Sequence, residues 1–166
     1  QSQVVKIPAS MGMEAASLLA CGVITGVGAV VNAAGLRAGQ DVVVIGAGGV
    51  GLNAIQGARI AGARRIVAVD MSEEKLAIAK EFGATDGILA SQDKPWHAAK
   101  AAIGRGADAV FVTVGMVPVY NQAPRYLAAG GRQRSGHGWL QDGRCCYCPR
   151  HSMDGRSLSA RAAQAR

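Results

Sequence analysis

The stretch Asp41-Val-Val-Val-Ile-Gly-Ala-Gly-Gly-Val-Gly51, followed by Arg65-Ile-Val-Ala-Val-Asp70, decides the fold of this chain. Residues 42–45 are all apolar and predict a buried strand. Glycines then follow in the pattern G-x-G-x-x-G, where that strand must turn into a helix. The second apolar run ends in an acid, 19 residues beyond Gly51. Strand, glycine turn, helix and acid at this spacing predict a dinucleotide-binding βαβ unit.

Each glycine of this turn has its own expected role. Gly46 permits the tight turn, Gly48 lets a pyrophosphate approach the backbone, and Gly51 lets the next helix pack closely on the sheet. Unpaired N–H groups and the dipole at the start of that helix attract phosphates. Asp70 is expected to accept hydrogen bonds from the adenosine ribose and to repel the 2′-phosphate of NADP, so NAD is the predicted cofactor. The alternative, a glycine-rich turn without a ligand, is disfavoured by the acid at this offset.

Strands and helices alternate along the middle of the chain, which predicts a parallel sheet with right-handed crossovers. The expected fold is therefore α/β, a Rossmann-type doubly wound sheet. Strands are predicted at 42–46, 65–70, 86–89 and 109–114, and helices at about 50–61, 73–82, 95–103 and 117–128. Before them, residues 1–40 are expected to form a short strand near 4–7 and helices at about 11–20 and 25–34, with an interruption at 21–26.

The alternating pattern ends after Gly131. Residues 133–150 show neither a two-residue nor a 3.6-residue period, where the fold expects another buried strand, and only residues 158–166 suggest a short, loosely amphipathic helix. We therefore expect an incomplete sheet, with its final strands missing or replaced by an irregular basic tail. The predicted domains are 1–40, 41–131 and 132–166. A reading-frame slip near Arg132 is one hypothesis for the tail, because suitable codons read one base later spell an apolar strand.

The formal net charge of +7 is concentrated in the tail, which contributes +5 from seven basic and two acidic residues. The basic balance therefore says little about the folded part. We expect no apolar run long enough to span a bilayer and no signal peptide, which predicts a cytoplasmic protein. The four cysteines do not form an extracellular disulfide framework.

The tail suggests two further functions, and neither is favoured. The residues Cys145, Cys146, Cys148 and His151 resemble a soft-metal site, but their spacing does not suit a closed tetrahedral zinc centre. The tail arginines would attract nucleic acid through charge alone, and no nucleic-acid-binding module accompanies them.

A family resemblance is carried by four segments: Ala16–Gly26, Val42–Gly51, Ile66–Asp70 with Lys75, and Ala79–Ala84. Over about residues 4–131 the chain resembles the zinc-containing medium-chain alcohol dehydrogenases. The resemblance implies an oxidoreductase that, when intact, transfers a hydride between an alcohol or aldehyde and NAD. It also implies partners of that class, small alcohols or aldehydes. The family often forms oligomers through edge strands of this domain, but the final strands needed for that are expected to be lost here, so a homo-oligomer through the sheet edge stays an open alternative.

The resemblance also implies roles for individual residues. Cys21 matches the third protein ligand of the family's catalytic zinc, and Thr25 matches the residue lying against the nicotinamide ring. Asp70 and Lys75 match the pair that contacts the adenosine ribose. The pyrophosphate loop is matched by Gly46, Gly48, Gly49, Val50 and Gly51. Two other interpretations stay open: Cys21 as a small buried hydrophobic residue, and Lys75 as a solvated helix lysine.

One departure from the family limits the expected activity. The family's catalytic domain, which precedes this segment and holds the other zinc ligands, has no counterpart in these 166 residues. A catalytic zinc needs three protein ligands and an open position, so Cys21 alone cannot hold it. No complete catalytic site is therefore expected, and the chain alone is expected to be inactive. The rival hypothesis is a truncated, inactive nucleotide-binding or interaction module.

Overall fold

The computed structural model describes residues 5–135, 138–141 and 144–145. Seven strands in this part of the chain form a sheet in the order β3-β2-β1-β4-β5-β6-β7. They are β1 Asp41–Ile45, β2 Arg65–Asp70, β3 Asp86–Leu89, β4 Ala107–Val112, β5 Leu127–Ser135, β6 Gly138–Gln141 and β7 Arg144–Cys145. Strands β1 to β5 run parallel, while β6 and β7 pair antiparallel. Within the described residues this is a Rossmann sheet without a sixth parallel strand, so the predicted incomplete Rossmann-type fold is confirmed.

Helices connect the parallel strands and precede the first of them. They are α1 Met13–Leu18, α2 Ile24–Gly28, α3 Gly49–Ile60, α4 Glu73–Glu81, α5 Pro95–Ile103 and α6 Val117–Gln122. A 3₁₀ turn, Ala123–Tyr126, follows α6. From β1 to β4, every predicted strand and helix is found, with bounds that differ by at most two residues.

Strand β1 lies at the centre of the core because it is buried on both faces. Val42 and Val44 pack with α3 and α4 on one side, whereas Val43 and Ile45 pack with α5 and the 3₁₀ turn on the other. All five residues of β1 are buried. An uninterrupted apolar run is what a parallel strand covered on both faces requires. Tyr126 of the 3₁₀ turn is also buried, and this burial raises the pKa of its phenol to about 12.

The region before β1 differs from the prediction. Residues 5–7 form no strand, and helix α1 begins at Met13 after Gly12 as N-cap, with no side-chain cap. The expected interruption at 21–26 is wrong, because π-helical turns at Leu19–Val23 and Ala29–Ala34 keep the chain helical. Wider i→i+5 turns carry the backbone through the glycine-rich sequence without breaking the helix.

This continuous helical stretch, Met13–Ala34, also corrects the expectation about membrane spans. It has 22 residues and a mean hydropathy of 1.8, which is long and apolar enough to cross a bilayer by length and composition alone. One such helix is weak evidence, because helices of water-soluble proteins pass the same test. The expectation that no apolar run is long enough was nevertheless wrong.

The end of the described chain differs in two ways. The helix predicted over 117–128 ends at Gln122, since Pro124 has no N–H to continue the helical hydrogen bonds. Strand β5 then begins at Leu127 and continues past Gly131 to Ser135, although residues 132–135 show no strand pattern. Pairing with the backbone of β4 supplies the hydrogen bonds that define this strand, whatever side chains it carries. The domain boundaries remain a prediction.

A charged cluster joins the strands at the amino-terminal edge of the sheet. Asp41 is fully buried there. Its carboxylate accepts hydrogen bonds from Arg64 Nε at 2.9 Å and Nη2 at 2.8 Å, and Arg105 Nη2 lies 2.8 Å from Oδ2. The backbone N–H of Asp41 donates to Asp108 Oδ2 at 2.8 Å. The sequence analysis did not single out these residues.

The cluster shifts the pKa values of its members. Hydrogen bonding to Asp41 raises the pKa of Arg64, and hydrogen bonding to Asp108 raises the pKa of Arg105. Burial alone would raise the pKa of Asp108. Hydrogen bonds from Arg105 and from the Asp41 backbone outweigh that effect, and the net shift of the Asp108 pKa is downward.

Candidate functional site

The turn between β1 and α3 lies at the carboxyl-terminal edge of the sheet. Gly46 begins the turn with φ of 100°, a conformation that favours glycine. A Cβ on this residue would lie 2.6 Å from both Thr113 Oγ1 and Val114 Cγ1. Gly46 is therefore required by backbone conformation and by its contact with the end of β4.

Gly51 is required for a different reason. It is buried in the first turn of α3, and a Cβ there would overlap the carbonyl oxygen of Gly46. The same Cβ would lie 3.0 Å from Thr113 Oγ1. The absence of a side chain lets α3 start directly against the turn and the end of β4.

Gly48 and Gly49 contrast with these two residues. Both are exposed, and a Cβ on either would have no protein atom within 4 Å. Gly48 has φ of −82°, which residues with side chains also adopt. No contact or conformation within the described chain requires glycine here. The bare backbone at these positions suits a ligand that approaches it closely.

The start of α3 presents free hydrogen-bond donors beside this bare backbone. The first N–H groups of a helix have no carbonyl one turn earlier to bind. Leu52 N–H donates to Gly48 O at 2.8 Å, while Gly49, Val50 and Gly51 N–H have no backbone acceptor within the described residues. Free donors of this kind, together with the helix dipole, attract anions such as phosphates.

Asp70 lies at the end of β2, beside the turn. Its Oδ2 accepts a hydrogen bond from Ala47 N–H at 2.7 Å, and its Oδ1 accepts one from Ser72 N–H at 3.0 Å. The carboxylate is thus fixed at the edge of the glycine turn, and each oxygen retains further acceptor capacity.

Lys75 follows in the first turn of α4. Its N–H donates to Ser72 Oγ at 3.4 Å, so Ser72 is the N-cap of α4. The Lys75 side chain is exposed, on the helix that begins at Glu73, three residues after Asp70. Lys75 as a contact of the adenosine ribose and Lys75 as a solvated helix lysine both stay open as interpretations.

Thr25 belongs to α2, which packs against the beginning of α3. The adjacent Gly26 is buried, and a Cβ on it would lie 2.5 Å from Val50 O and 2.7 Å from Ala54 N. This close approach places half-buried Thr25 next to the helix whose first turn borders the glycine turn.

A cavity of about 150 Å³ opens at the opposite edge of the sheet and is not the candidate site. Its lining includes Gln40, Arg105, Asp108 and residues 128–131. The charged groups there already pair with each other and with Asp41, as in a structural ion-pair network. The glycine turn lies at the surface, where Gly48 and Gly49 are exposed, so a ligand can reach its backbone without a deep cavity.

Comparison with known proteins identifies the family. The model for the zinc-binding dehydrogenase family matches residues 49–134, more than half of the chain. The chain belongs to the zinc-binding dehydrogenase family. The matched region begins at Gly49 and contains Gly51, Asp70 and the end of β4.

Relatives of this zinc-binding dehydrogenase chain include alcohol dehydrogenases. The S-(hydroxymethyl)glutathione dehydrogenase of Photobacterium damsela subsp. piscicida is 43% identical over 120 residues, covering 71% of this chain and 32% of that protein. The NDMA-dependent alcohol dehydrogenase of Amycolatopsis methanolica is 39% identical over 133 residues, covering 79% of this chain and 36% of that protein. The chain thus spans about a third of the length of the curated relatives it matches.

Solved structures agree with the family assignment. The crystal structure of benzyl alcohol dehydrogenase from Acinetobacter calcoaceticus is 33% identical and superposes with a TM-score of 0.76, covering 79% of this chain and 36% of that one. The chain therefore corresponds to the Rossmann region of zinc-type alcohol dehydrogenases.

The described residues of this family member do not fit a zinc ion. Cys21 is exposed and free, in the π-helical turn between α1 and α2. No group of three His, Cys, Asp or Glu side chains within the described part of the chain is arranged to hold a metal. Exposure disfavours the interpretation of Cys21 as a buried hydrophobic residue. Of the tail group, Cys146, Cys148 and His151 lie outside the described residues.

Several residues at the site were missed by the sequence analysis. Thr113 Oγ1 donates to the carbonyl oxygens of Gly46 at 2.8 Å and Ile45 at 3.1 Å. Met71 and Met116, which follow β2 and β4, are large apolar side chains with exposed fractions of 71% and 60%. The available signal was topological, because in a doubly wound sheet the strands on both sides of β1 end at the ligand crevice.

Proposed function

We propose that this chain is the NAD(H)-binding domain of a zinc-dependent alcohol dehydrogenase-like oxidoreductase. The observation that carries the proposal is the bare backbone at Gly48 and Gly49, beside the free N–H groups of α3. No contact within the described residues requires glycine at these two positions. A pyrophosphate fits this surface because it needs both close approach and several donors.

The preference for NAD over NADP rests on Asp70. A carboxylate at the end of β2 accepts hydrogen bonds from ribose hydroxyls and repels a 2′-phosphate. Met71 and Ser72 follow it, so no arginine adjoins it to hold that phosphate. Lys75 belongs to this proposed ribose site. The exposed Met71 and Met116 side chains offer apolar surface for the adenine ring at the same edge of the sheet.

The nicotinamide end of the cofactor is proposed to lie against Thr25. Support comes from the close packing of α2 on α3, which brings this residue beside the start of the phosphate-binding helix. When bound, NAD⁺ would accept a hydride from an alcohol in the intact enzyme, and the alcohol, which also loses its hydroxyl proton, would become an aldehyde. The residues of this chain bind and orient the cofactor.

Binding of reduced cofactors tests the proposal directly. Titration calorimetry of the 166-residue chain is expected to show NADH binding and affinity for NADPH lower by about tenfold or more, because the 2′-phosphate meets the Asp70 carboxylate. Asp70→Asn is expected to reduce this discrimination, while Asp86→Asn, which removes an acid at the amino-terminal start of β3, leaves it unchanged. Absent binding, or equal affinities for the two cofactors, contradicts the assignment.

Catalysis is proposed to need groups beyond these residues, since Cys21 alone does not hold zinc. The chain incubated with zinc, NAD and simple alcohols is expected to show no NADH formation at 340 nm. Turnover above the protein-free rate would refute this part of the proposal. Cytoplasmic location and assembly through a sheet edge remain proposals of the same kind.

A further inference from the structure

A single peptide group in the glycine turn is held from both neighbouring strands. The peptide between Gly46 and Ala47 accepts a hydrogen bond at its carbonyl oxygen from Thr113 Oγ1 at 2.8 Å. Its N–H donates to Asp70 Oδ2 at 2.7 Å. Asp70 ends β2 and Thr113 follows β4, so the two side chains hold this peptide across β1.

The orientation of this peptide controls the donors that follow it. Gly46, with φ of 100°, has no side chain that would restrict rotation of this peptide group. Rotation of the peptide would break both hydrogen bonds and redirect the chain leading to Gly48 and the start of α3. Thr113 resists this rotation from one side through its hydrogen bond to Gly46 O, the nearer of the two carbonyl oxygens that share its single hydroxyl proton; Ile45 O lies 3.1 Å away.

We infer that Thr113 is a positioning residue for the dinucleotide. It acts through Gly46 and holds the turn so that the N–H groups at the start of α3 face the pyrophosphate. The inference rests on the proposed function, and it adds a residue that lies outside the glycine motif and the ribose-binding acid. A hydroxyl at this position supplies a hydrogen bond that an apolar side chain of the same size lacks.

The test compares Thr113→Val with Thr113→Ser in the 166-residue chain. Thr113→Val keeps the shape and removes the donor, so the affinities for NADH and ADP are expected to fall about threefold to tenfold. Affinity for adenosine, which lacks phosphates, is expected to stay unchanged in NMR titrations. Thr113→Ser restores the hydroxyl and is expected to restore NADH affinity. If Thr113 affected only the stability of the fold, Thr113→Val would lower the affinities for ADP and adenosine alike.

Thr85→Val is the matched control. The Thr85 hydroxyl also bonds a strand carbonyl, Ile66 O at 3.2 Å, but at the opposite edge of the sheet. Its removal is expected to leave NADH affinity unchanged. If Thr113→Val does not fold, Thr113→Cys replaces it, because a thiol is a weak donor of similar size.

Two failures are distinguishable. Absence of NADH binding by the unsubstituted chain overturns the proposed function and this inference with it. The inference alone is overturned if the unsubstituted chain binds NADH normally and the ADP affinity is unchanged in Thr113→Val, or in Thr113→Cys where that replaces it. Equal losses for ADP and adenosine also overturn it.

Discussion

At the scale of the residue, the four glycines of the β1–α3 turn fall into two classes. Gly46 and Gly51 face protein atoms that a Cβ would strike, whereas Gly48 and Gly49 face open space. The first pair is therefore explained by the fold, and the second pair is explained only by something that approaches from outside. The sequence motif contains both classes without distinguishing them.

Alanine substitutions should separate these classes. Gly51→Ala places a Cβ against the Gly46 carbonyl and is expected to lower the free energy of unfolding by about 2 kcal/mol or more. Gly48→Ala is expected to change that free energy little, while weakening NADH binding about tenfold through loss of close approach. Urea unfolding and calorimetric titration measure the two quantities. Comparable destabilisation by both variants would contradict the division.

At the scale of the element, the two ends of the sheet have different chemistry. The carboxyl-terminal edge carries the exposed donors and Asp70, while the amino-terminal edge carries the Asp41 ion-pair cluster. Arg64, Arg105 and Asp108 close that cluster around a fully buried carboxylate. Buried charge is tolerated there because its partners supply hydrogen bonds as well as opposite charge.

The lowered pKa of Asp108 predicts a pH dependence of stability. A carboxyl whose pKa is lower in the folded state stabilises that state above its unfolded pKa, near 3.9, and loses this contribution as the pH falls through the folded pKa. Asp108→Asn is therefore expected to cost about 1 kcal/mol at pH 7, with the difference shrinking below about pH 4. Urea unfolding at several pH values measures it.

Asp93→Asn provides the control for that measurement. Asp93 is 88% exposed and lies 3.9 Å from Lys94 Nζ, so its removal is expected to change stability little at any pH. A difference for Asp108→Asn that stays constant from pH 7 to pH 3 would contradict the linkage.

At the scale of the whole molecule, the candidate site is built from a limited part of the chain. Its proposed residues run from Thr25 to Met116, and the elements that hold them end with β4 and the start of α6. The last described residues, 138–141 and 144–145, pair beyond β5 at the far side of the sheet. The site is therefore separated by β5 from the end of the described chain.

Removal of residues 146–166 tests this separation. The shortened chain is expected to bind NADH with an affinity within about twofold of the full chain, because every proposed contact lies upstream. A basic nucleic-acid-binding tail instead predicts salt-sensitive DNA retention by the full chain that this deletion weakens. Calorimetry and DNA-affinity chromatography at two salt concentrations measure these effects. Loss of NADH binding would place part of the site in the tail.

The amino-acid sequence by itself determined the alternating α/β pattern, the glycine turn and the acid after β2. Apolar runs and glycine spacing are local features, and local features predict local structure. Helix continuity through 19–34 and the strand at 127–135 were not predictable in this way, since π-helical turns and pairing with β4 leave no period in the side chains. Family resemblance extended the prediction to Thr25 and Lys75.

Only the tertiary structure decided which glycines the fold requires and which residues hold the turn. Thr113 and Asp70 lie 43 residues apart in the sequence, yet both bond the Gly46–Ala47 peptide because β2 and β4 flank β1. Strand order brings these groups together, and strand order results from packing the whole sheet between its helices. The motif thus indicated a turn for phosphate, and the neighbouring strands determine how that turn is held.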